Sequence, residues 1–207
     1  MQEPMQAYLD RLASNSPTPG GGSVAALVGA LGAALGSMVA NFTVGKEKFA
    51  AVEADVQRLL AGCEEARQEL SALVQADMAE YGKVSAAYGM PRKTDEEKAA
   101  RTAAIQQALK DAAEVPLKAA AACHKVLTLN RELVDKGNAN LISDAGVSVA
   151  LALAALECAA LNVEINLAFI KDEAFNAQMR GQMGPLLAEA PALKDEVWGK
   201  VERAVKG

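Results

Sequence analysis

The sequence predicts an all-α fold, a compact bundle of long helices around an Ala/Gly-rich central helix. Three observations support this prediction. Alanine supplies much of a 51% hydrophobic content while aromatic residues make up only 4%. Apolar residues recur at steps of three and four, and no segment alternates as a strand does. Alanine favours helices and lets them pack closely. Because 207 residues can bury one sizeable core, residues 1–207 are expected to form a single domain.

The central helix is predicted from an uncharged segment between Arg11 and Lys46. This segment begins with PTPGGGS at residues 17–23, in which prolines stiffen the chain, glycines allow unusual backbone conformations and Ser23 can cap a helix. On a helical wheel the bulky residues share one face, which is expected to fill the core. Glycines and alanines share another face, where a second helix can approach closely. The bulky residues are Val24, Leu27, Val28, Leu31, Leu35, Met38, Val39 and Phe42.

A membrane span is the alternative for this segment, because residues 24–45 are long enough to cross a bilayer. Ser37, Asn41 and Thr43, the many small residues, and the absence of Trp or Tyr at either end argue against it. The net charge of −5 without a basic cluster argues against nucleic acid. Neither a membrane nor a nucleic acid is therefore expected as a partner.

The remaining elements follow from helix periodicity and from helix start and stop signals. Apolar steps predict a helix from Phe49 to about Tyr88, which ends before Pro91. The next helix starts at Thr94, where TDEE forms a capping box, and Gly137 ends it. Pro116 is expected to kink or divide that helix.

A final long helix is expected from about Ser143 to about Asp172, and a shorter tail with Pro185, Pro191 and Trp198 follows it. Polar residues form two strips on this helix. Glu157, Glu164 and Lys171 recur every seven residues and predict a solvated face. The opposite strip would face inward, either to bond a neighbouring helix or to hold a planar polar molecule, and Asp144 can also simply cap the helix. It consists of Asp144, Ser148, Asn162 and Asn166.

Asp77 and Glu80 stand where the apolar pattern of the second helix calls for apolar residues. A buried carboxylate requires a partner or a function. The alternative is that a straight helix drifts away from the repeat, so that Val74, Met78, Tyr81 and Tyr88 carry the core face. Asp77 would then lie at the edge of the core.

Cysteine and histidine usage excludes the common metal and disulfide frameworks. The three cysteines are far apart in sequence, and His124 is the single histidine, so neither a zinc site nor a disulfide scaffold is predicted. The first ten residues do not resemble a secretory signal, so a cytoplasmic location is expected.

Residues 17–24 (PTPGGGSV) and 29–39 (GALGAALGSMV) resemble the signature of the formiminotransferase-cyclodeaminase C-terminal domain and of the bacterial methenyltetrahydrofolate cyclohydrolases of the serine cycle. Further similar positions follow in the family's order along nearly the whole chain. They include Lys46, Asp77, Pro91-Arg92, Arg101, Gln106, Val115-Pro116-Leu117, Gly137-Asn138, Ser143-Asp144, Asn162, Asn166 and Asp172-Glu173.

The resemblance implies a helical subunit that forms a homodimer and binds a folate, with or without a polyglutamate tail, in a cleft near the interface. It implies no cofactor beyond the tetrahydrofolate substrate, and no metal. A cyclohydrolase adds water to 5,10-methenyltetrahydrofolate to give 10-formyltetrahydrofolate, whereas a cyclodeaminase closes a formimino group and releases ammonia. A single domain favours the cyclohydrolase. A stand-alone cyclodeaminase and a non-catalytic helical folate-binding protein remain as alternatives.

The resemblance also suggests site residues. Asp77 and Asp144 are expected beside the reactive carbon, one of them as the base, and Lys46 would stabilise negative charge on oxygen. On spacing alone, a solvated charge at a helix end is the better explanation of Lys46. The other candidates would bind substrate through backbone approach, amide pairing with the pterin, or contact with its glutamate tail. These are Gly20, Gly21, Gly22, Ser23, Arg92, Gln106, Asn138, Asn140, Asn162 and Asn166.

Overall fold

A computed structural model describes residues 4–207, and within that range it contains helices and no strand. The prediction of a compact all-α fold is confirmed. The α-helices are α1 (Met5–Leu12), α2 (Gly21–Asn41), α3 (Glu53–Tyr88), α4 (Asp95–Lys136), α5 (Ile142–Leu167) and α6 (Glu173–Lys206), with 3-10 helices at Glu47–Val52 and Ala139–Leu141.

Helix α2 packs against α3, α4 and α5, so it is the predicted central helix. The prediction that glycines and alanines let other helices approach closely is confirmed, because the buried positions are mainly glycine, alanine and serine, and a Cβ added to Gly29 would lie 2.6 Å from Cys123 Sγ. The prediction that the bulky face fills the core was wrong in part. Val39 is buried, but Leu31 and Phe42 are exposed, because the three neighbouring helices pack on the small face.

Two helical segments are long and apolar enough to cross a membrane by length and composition alone. They are Gly21–Asn41 and Ala139–Leu167, with mean hydropathies of 1.9 and 1.8. Within the bundle, 61% and 50% of their most apolar windows are buried. Core helices of soluble proteins have the same properties, so the apolar composition of α2 and α5 is accounted for largely by their packing.

Local sequence signals predicted several boundaries correctly. Helix α3 ends at Tyr88, and Thr94 begins α4 with a capping box in which its Oγ1 accepts a hydrogen bond from the Glu97 N–H at 3.2 Å. Gly137 follows the end of α4 as predicted. Pro116 does not divide α4, so that part of the prediction was wrong.

The C-terminal region forms one 34-residue helix, α6, where a shorter tail was predicted. Pro185 and Pro191 lie inside it on its exposed side. Each proline removes a backbone hydrogen bond and costs about 3 kcal/mol, but burying each large apolar side chain contributes roughly 1.5–3 kcal/mol. The buried side chains lie at helical spacing and outweigh the prolines: Met179, Met183, Leu193, Val197 and Val201.

Candidate functional site

A cavity of about 490 Å³ opens at the end of the bundle where α2 begins and α5 ends. We call this the cavity end. Its volume is typical of small-molecule sites. Its walls come from the segment before α2, from α3 and α4, and from the end of α5. The lining residues are Pro17, Thr18, Gly20, Gly21, Gly22, Asp77, Tyr81, Val84, Ser85, Tyr88, Leu109, Ala112, Asn162, Ile165, Asn166 and Phe169.

Asp77 of α3 lies against the first turn of α2. The Ser23 backbone N–H donates a hydrogen bond to its carboxylate. A Cβ added to Gly22 would lie 2.1 Å from Asp77 Oδ1, so only glycine leaves room for the carboxylate there. Free N–H groups at a helix N-terminus favour a negative charge. Gly22 therefore allows a carboxylate of the protein itself to lie at the N-terminus of α2.

The acidity of Asp77 reflects this partly buried position. Burial raises the pKa of its carboxyl group above the ordinary value of 3.8, and the hydrogen bond from Ser23 N–H opposes that shift. A carboxylate with a raised pKa is a stronger base than an exposed aspartate. Since a general base works best when its pKa approaches the working pH, Asp77 suits proton abstraction.

Aromatic side chains form much of the cavity wall. Tyr81 and Tyr88 are each 46% exposed and Phe169 is 58% exposed. They are three of the chain's eight aromatic residues, all of which lie in the described range. Aromatic side chains left partly open around one cavity favour a flat ligand. Sequence reasoning missed this wall because it considered Tyr81 and Tyr88 only as alternative members of the core face. The available signal was that Asp77, Tyr81 and Tyr88 share one face of α3.

The amides of α5 complete the polar part of the cavity. Asn162 and Asn166 line it, and their Nδ2 atoms donate to Cys158 O at 2.8 Å and to Asn162 O at 2.9 Å. Asn162 also lies next to Gly21, whose added Cβ would be 3.4 Å from Nδ2. The structure therefore brings together one part of the predicted site: Gly20, Gly21, Gly22, Asp77, Asn162 and Asn166.

Ser23 has a structural place and does not line the cavity. Gly20 occupies the N-cap position, so Ser23 lies within the first turn of α2 and the predicted capping role was wrong. Its side chain is fully buried. Ser23 Oγ donates to Val74 O at 3.2 Å and lies 2.9 Å from Tyr8 Oη. The hydroxyl thus ties α1, α2 and α3 together behind Asp77.

Gln106 and Arg92, two further predicted binding residues, also lie outside the cavity lining. Both ends of the Gln106 amide bond the backbone of the turn between α5 and α6, at Phe169 O (3.0 Å) and at Lys171 N (2.7 Å). Arg92 is exposed in the connection between α3 and α4. Neither side chain is among those that line the cavity.

The remaining predicted residues lie at the other end of the bundle, which we call the closed end. About 18 residues of α5 separate Asp144 from Asn162, which corresponds to about 27 Å along the helix. Asn138 N donates to Thr43 Oγ1 at 2.9 Å and connects this end of α5 to the end of α2. Lys46, Asn138, Asn140 and Asp144 are therefore not brought to the cavity within one chain.

The described part of the chain has few side chains that are suited to metal binding or to thiol chemistry. No group of three or more His, Cys, Asp or Glu side chains is placed to hold a metal there. Burial raises the pKa of the Cys63 and Cys123 thiols to about 12, while Cys158 is exposed. His124 Nε2 lies 3.0 Å from Glu189 Oε2 and joins α4 to α6.

Several known proteins are similar to this chain over most of its length. The sequence profile of the family described as formiminotransferase-cyclodeaminase matches residues 4–184. A methenyltetrahydrofolate cyclohydrolase of Methylorubrum extorquens is 47% identical over 98% of each chain. A formimidoyltransferase-cyclodeaminase of Rattus norvegicus is 35% identical over 96% of this chain, which spans 37% of that relative's length. The crystal structure of a formiminotetrahydrofolate cyclodeaminase from Thermotoga maritima is 33% identical, with a TM-score of 0.88 over 99% of this chain and 98% of that one.

Proposed function

Because the chain belongs to the formiminotransferase-cyclodeaminase family, we propose that it is a methenyltetrahydrofolate cyclohydrolase. It acts on a folate and converts 5,10-methenyltetrahydrofolate to 10-formyltetrahydrofolate. The full-length similarity to the Methylorubrum extorquens cyclohydrolase favours this reaction over release of ammonia. The structural observation that carries the proposal is Asp77, a carboxylate of raised pKa in a cavity with aromatic walls.

Asp77 supplies the acid–base chemistry of the reaction. The methenyl bridge is a cationic amidinium carbon, which a carboxylate attracts. As a water oxygen bonds to that carbon, Asp77 accepts a proton from the water. The bond from carbon to N5 then breaks as N5 takes up that proton from Asp77. The added hydroxyl loses its own proton to solvent and becomes the carbonyl of the formyl group, which stays on N10. The pterin and benzoyl rings are flat, and the aromatic wall with the amides of Asn162 and Asn166 suits them.

Direct assay of two folates tests this proposal. Purified protein is offered 5,10-methenyltetrahydrofolate while the methenyl chromophore is followed, and separately 5-formiminotetrahydrofolate while the chromophore and ammonia are followed. We expect rapid loss of the methenyl chromophore in the first assay. Ammonia release without methenyl hydrolysis would instead support a cyclodeaminase, the activity named for the Thermotoga maritima protein. Binding without either reaction would leave a folate-binding protein.

The protein is further proposed to form a homodimer through one apolar surface. Helix α4 packs against both α2 and α5, so the sides of α2 and α5 that are turned away from α4 lie next to each other. Those sides carry exposed large apolar residues, which are costly to leave in water. We call this surface the α2/α5 face, and its residues are Leu31, Phe42, Val147, Leu161 and Ile165. An extended, self-complementary apolar strip is typical of an isologous dimer.

Replacement of Leu161, which is 72% exposed, tests the dimer. Leu161→Glu is expected to convert a dimer to a monomer in light scattering, because it places a charge within the apolar surface. Leu187→Glu on α6 is the matched control outside the α2/α5 face and should remain dimeric. In the dimer, Cys158 of α5 should react slowly with a thiol reagent and faster in Leu161→Glu. A monomeric wild-type protein at micromolar concentration would refute the proposed dimer.

A further inference from the structure

The turn between α5 and α6 carries Phe169 into the cavity wall. Phe169 lies two residues after the end of α5 and is 58% exposed, so core packing contributes little to its position. The placement of its ring therefore depends on the backbone of residues 168–172. The interactions that hold this backbone therefore also fix the position of the Phe169 ring in the cavity wall.

Gln106 of α4 holds that backbone with both ends of its side-chain amide. Its Nε2 donates to Phe169 O at 3.0 Å, and its Oε1 accepts from Lys171 N at 2.7 Å. The two ends of a side-chain amide differ, so one end donates to a backbone carbonyl while the other accepts from a backbone N–H. A carboxylate could accept from Lys171 but could not donate to Phe169.

One turn further along α4, Lys110 fixes the far side of the same connection. Its Nζ lies 2.6 Å from Asp172 Oδ2, while Asp172 Oδ1 accepts from Phe175 N at 3.0 Å and caps α6. Lys110 thus anchors the start of α6. Gln106 bonds the Phe169 carbonyl and the Lys171 N–H, on either side of Ile170. Asn176 of α6 also holds this turn through a bond from its Nδ2 to Ile170 O at 3.0 Å, but that bond does not involve the Phe169 carbonyl.

We infer that Gln106 is a positioning residue that sets the Phe169 ring against the substrate. This inference rests on the proposed function, since it assigns Phe169 to folate binding. Asp77 is held by α2 and α3, away from the turn that Gln106 bonds. Loss of the Gln106 bonds therefore weakens binding and leaves the chemical step nearly unchanged.

The variants Gln106→Leu and Gln106→Glu test this inference, with Gln107→Glu as the matched control. Gln107 is the next residue of α4, exposed, and its Nε2 donates to Asp111 within the same helix. At pH 7 we expect both Gln106 variants to raise KM by about tenfold with kcat within about twofold of wild type, as the loss of a backbone-directed hydrogen bond implies. Gln107→Glu should keep both constants.

Recovery of substrate binding in acid distinguishes the loss of Phe169 positioning from general damage to the fold. Protonation of the new glutamic acid below about pH 4.5 restores an O–H donor toward Phe169 O, which leucine cannot provide. Binding of 5,10-methenyltetrahydrofolate is measured by equilibrium titration in an Asp77→Asn background, where the substrate persists and Asp77 does not titrate. Affinity of the Gln106→Glu variant should return toward that of the background as the pH falls, while Gln106→Leu stays weak.

A wild-type KM in Gln106→Leu would overturn the inference, and so would no recovery of Gln106→Glu in acid. A fall in kcat that exceeds the rise in KM would also do so. A wild-type protein that fails to hydrolyse the methenyl substrate would instead refute the proposed function. Failure of the inference is thus measured on the Gln106 variants, and failure of the proposed function on the wild-type protein.

Discussion

The cavity end and the closed end of the bundle contain the same kinds of polar residue but use them differently. At the closed end, Thr43 Oγ1 donates to Val39 O at 2.8 Å and accepts from Asn138 N, while Asn138 Nδ2 donates to Phe42 O at 3.3 Å. At the cavity end, Asp77, Asn162 and Asn166 line open space. Polar groups whose bonds are completed within the chain hold helices together. Polar groups that face a cavity remain available to a ligand.

The largest expected effect comes from removing the charge of Asp77. Asp77→Asn should lower kcat for methenyl hydrolysis by at least about a hundredfold, the lower range for loss of a positioned base. The amide keeps the shape and can still accept from Ser23 N–H, so the fold should be retained. Steady-state kinetics and circular dichroism measure the two properties.

Asp144→Asn is the matched variant at the closed end and should change kcat by less than about threefold, because Asp144 lies about 27 Å along α5 from Asn162. A loss as severe as that of Asp77→Asn would break the comparison between the ends. It would show that a partner subunit brings its closed end to this cavity.

A smaller effect is expected from Gly22→Ala, which tests how the carboxylate is placed. The new Cβ would lie 2.1 Å from Asp77 Oδ1, so the carboxylate must move. We expect kcat to fall about tenfold to a hundredfold, since small displacements of a catalytic group are costly. Gly21→Ala places its Cβ 3.4 Å from Asn162 Nδ2, an ordinary contact, and should mainly raise KM. Equal kinetics for the two variants would refute a special role for Gly22.

A substitution at the closed end should lower the stability of the protein and leave its activity unchanged. Thr43→Val removes the hydroxyl that accepts from Asn138 N while keeping the side-chain shape. Thr43 is fully buried, so we expect a loss of about 1–3 kcal/mol in the free energy of unfolding. Urea denaturation measures the loss, and unchanged kcat at 25 °C is the control. A fall in kcat beyond about threefold would mean that this end takes part in the reaction.

The smallest expected effect is a change in stability when Asp77 is replaced. This change has the opposite sign to the loss of stability expected for Thr43→Val. The folded state raises the pKa of Asp77, so it binds the proton more tightly than the unfolded chain. This contribution is fully present below the unfolded pKa and is lost as the pH rises through the folded pKa. Asp77→Asn should therefore raise Tm at pH 7. The difference should vanish near pH 3 in calorimetry, and a lower Tm at pH 7 would contradict it.

Sequence reasoning succeeded where the controlling interactions are local. The Thr94 capping box and Gly137 were predictable because residues a few positions apart determine them. Asp77 was noticed because it interrupts an apolar pattern. The separation of Asp144 from Asp77 was not predictable, because helical periodicity identifies a face but not which helix ends meet. Tyr81 was missed because an aromatic residue on a helix is more often part of the core.

The small buried face of α2 also has a consequence for biosynthesis. Helix α2 is complete about 100 residues before α5 begins, and at typical elongation rates this delay is about 5–20 s. During that time an uncharged 21-residue segment of mean hydropathy 1.9 has no α5 to pack against. Until α5 emerges, α3 and α4 are the partners that can cover α2, so the part of its small face that packs on α5 stays open in the newly made chain.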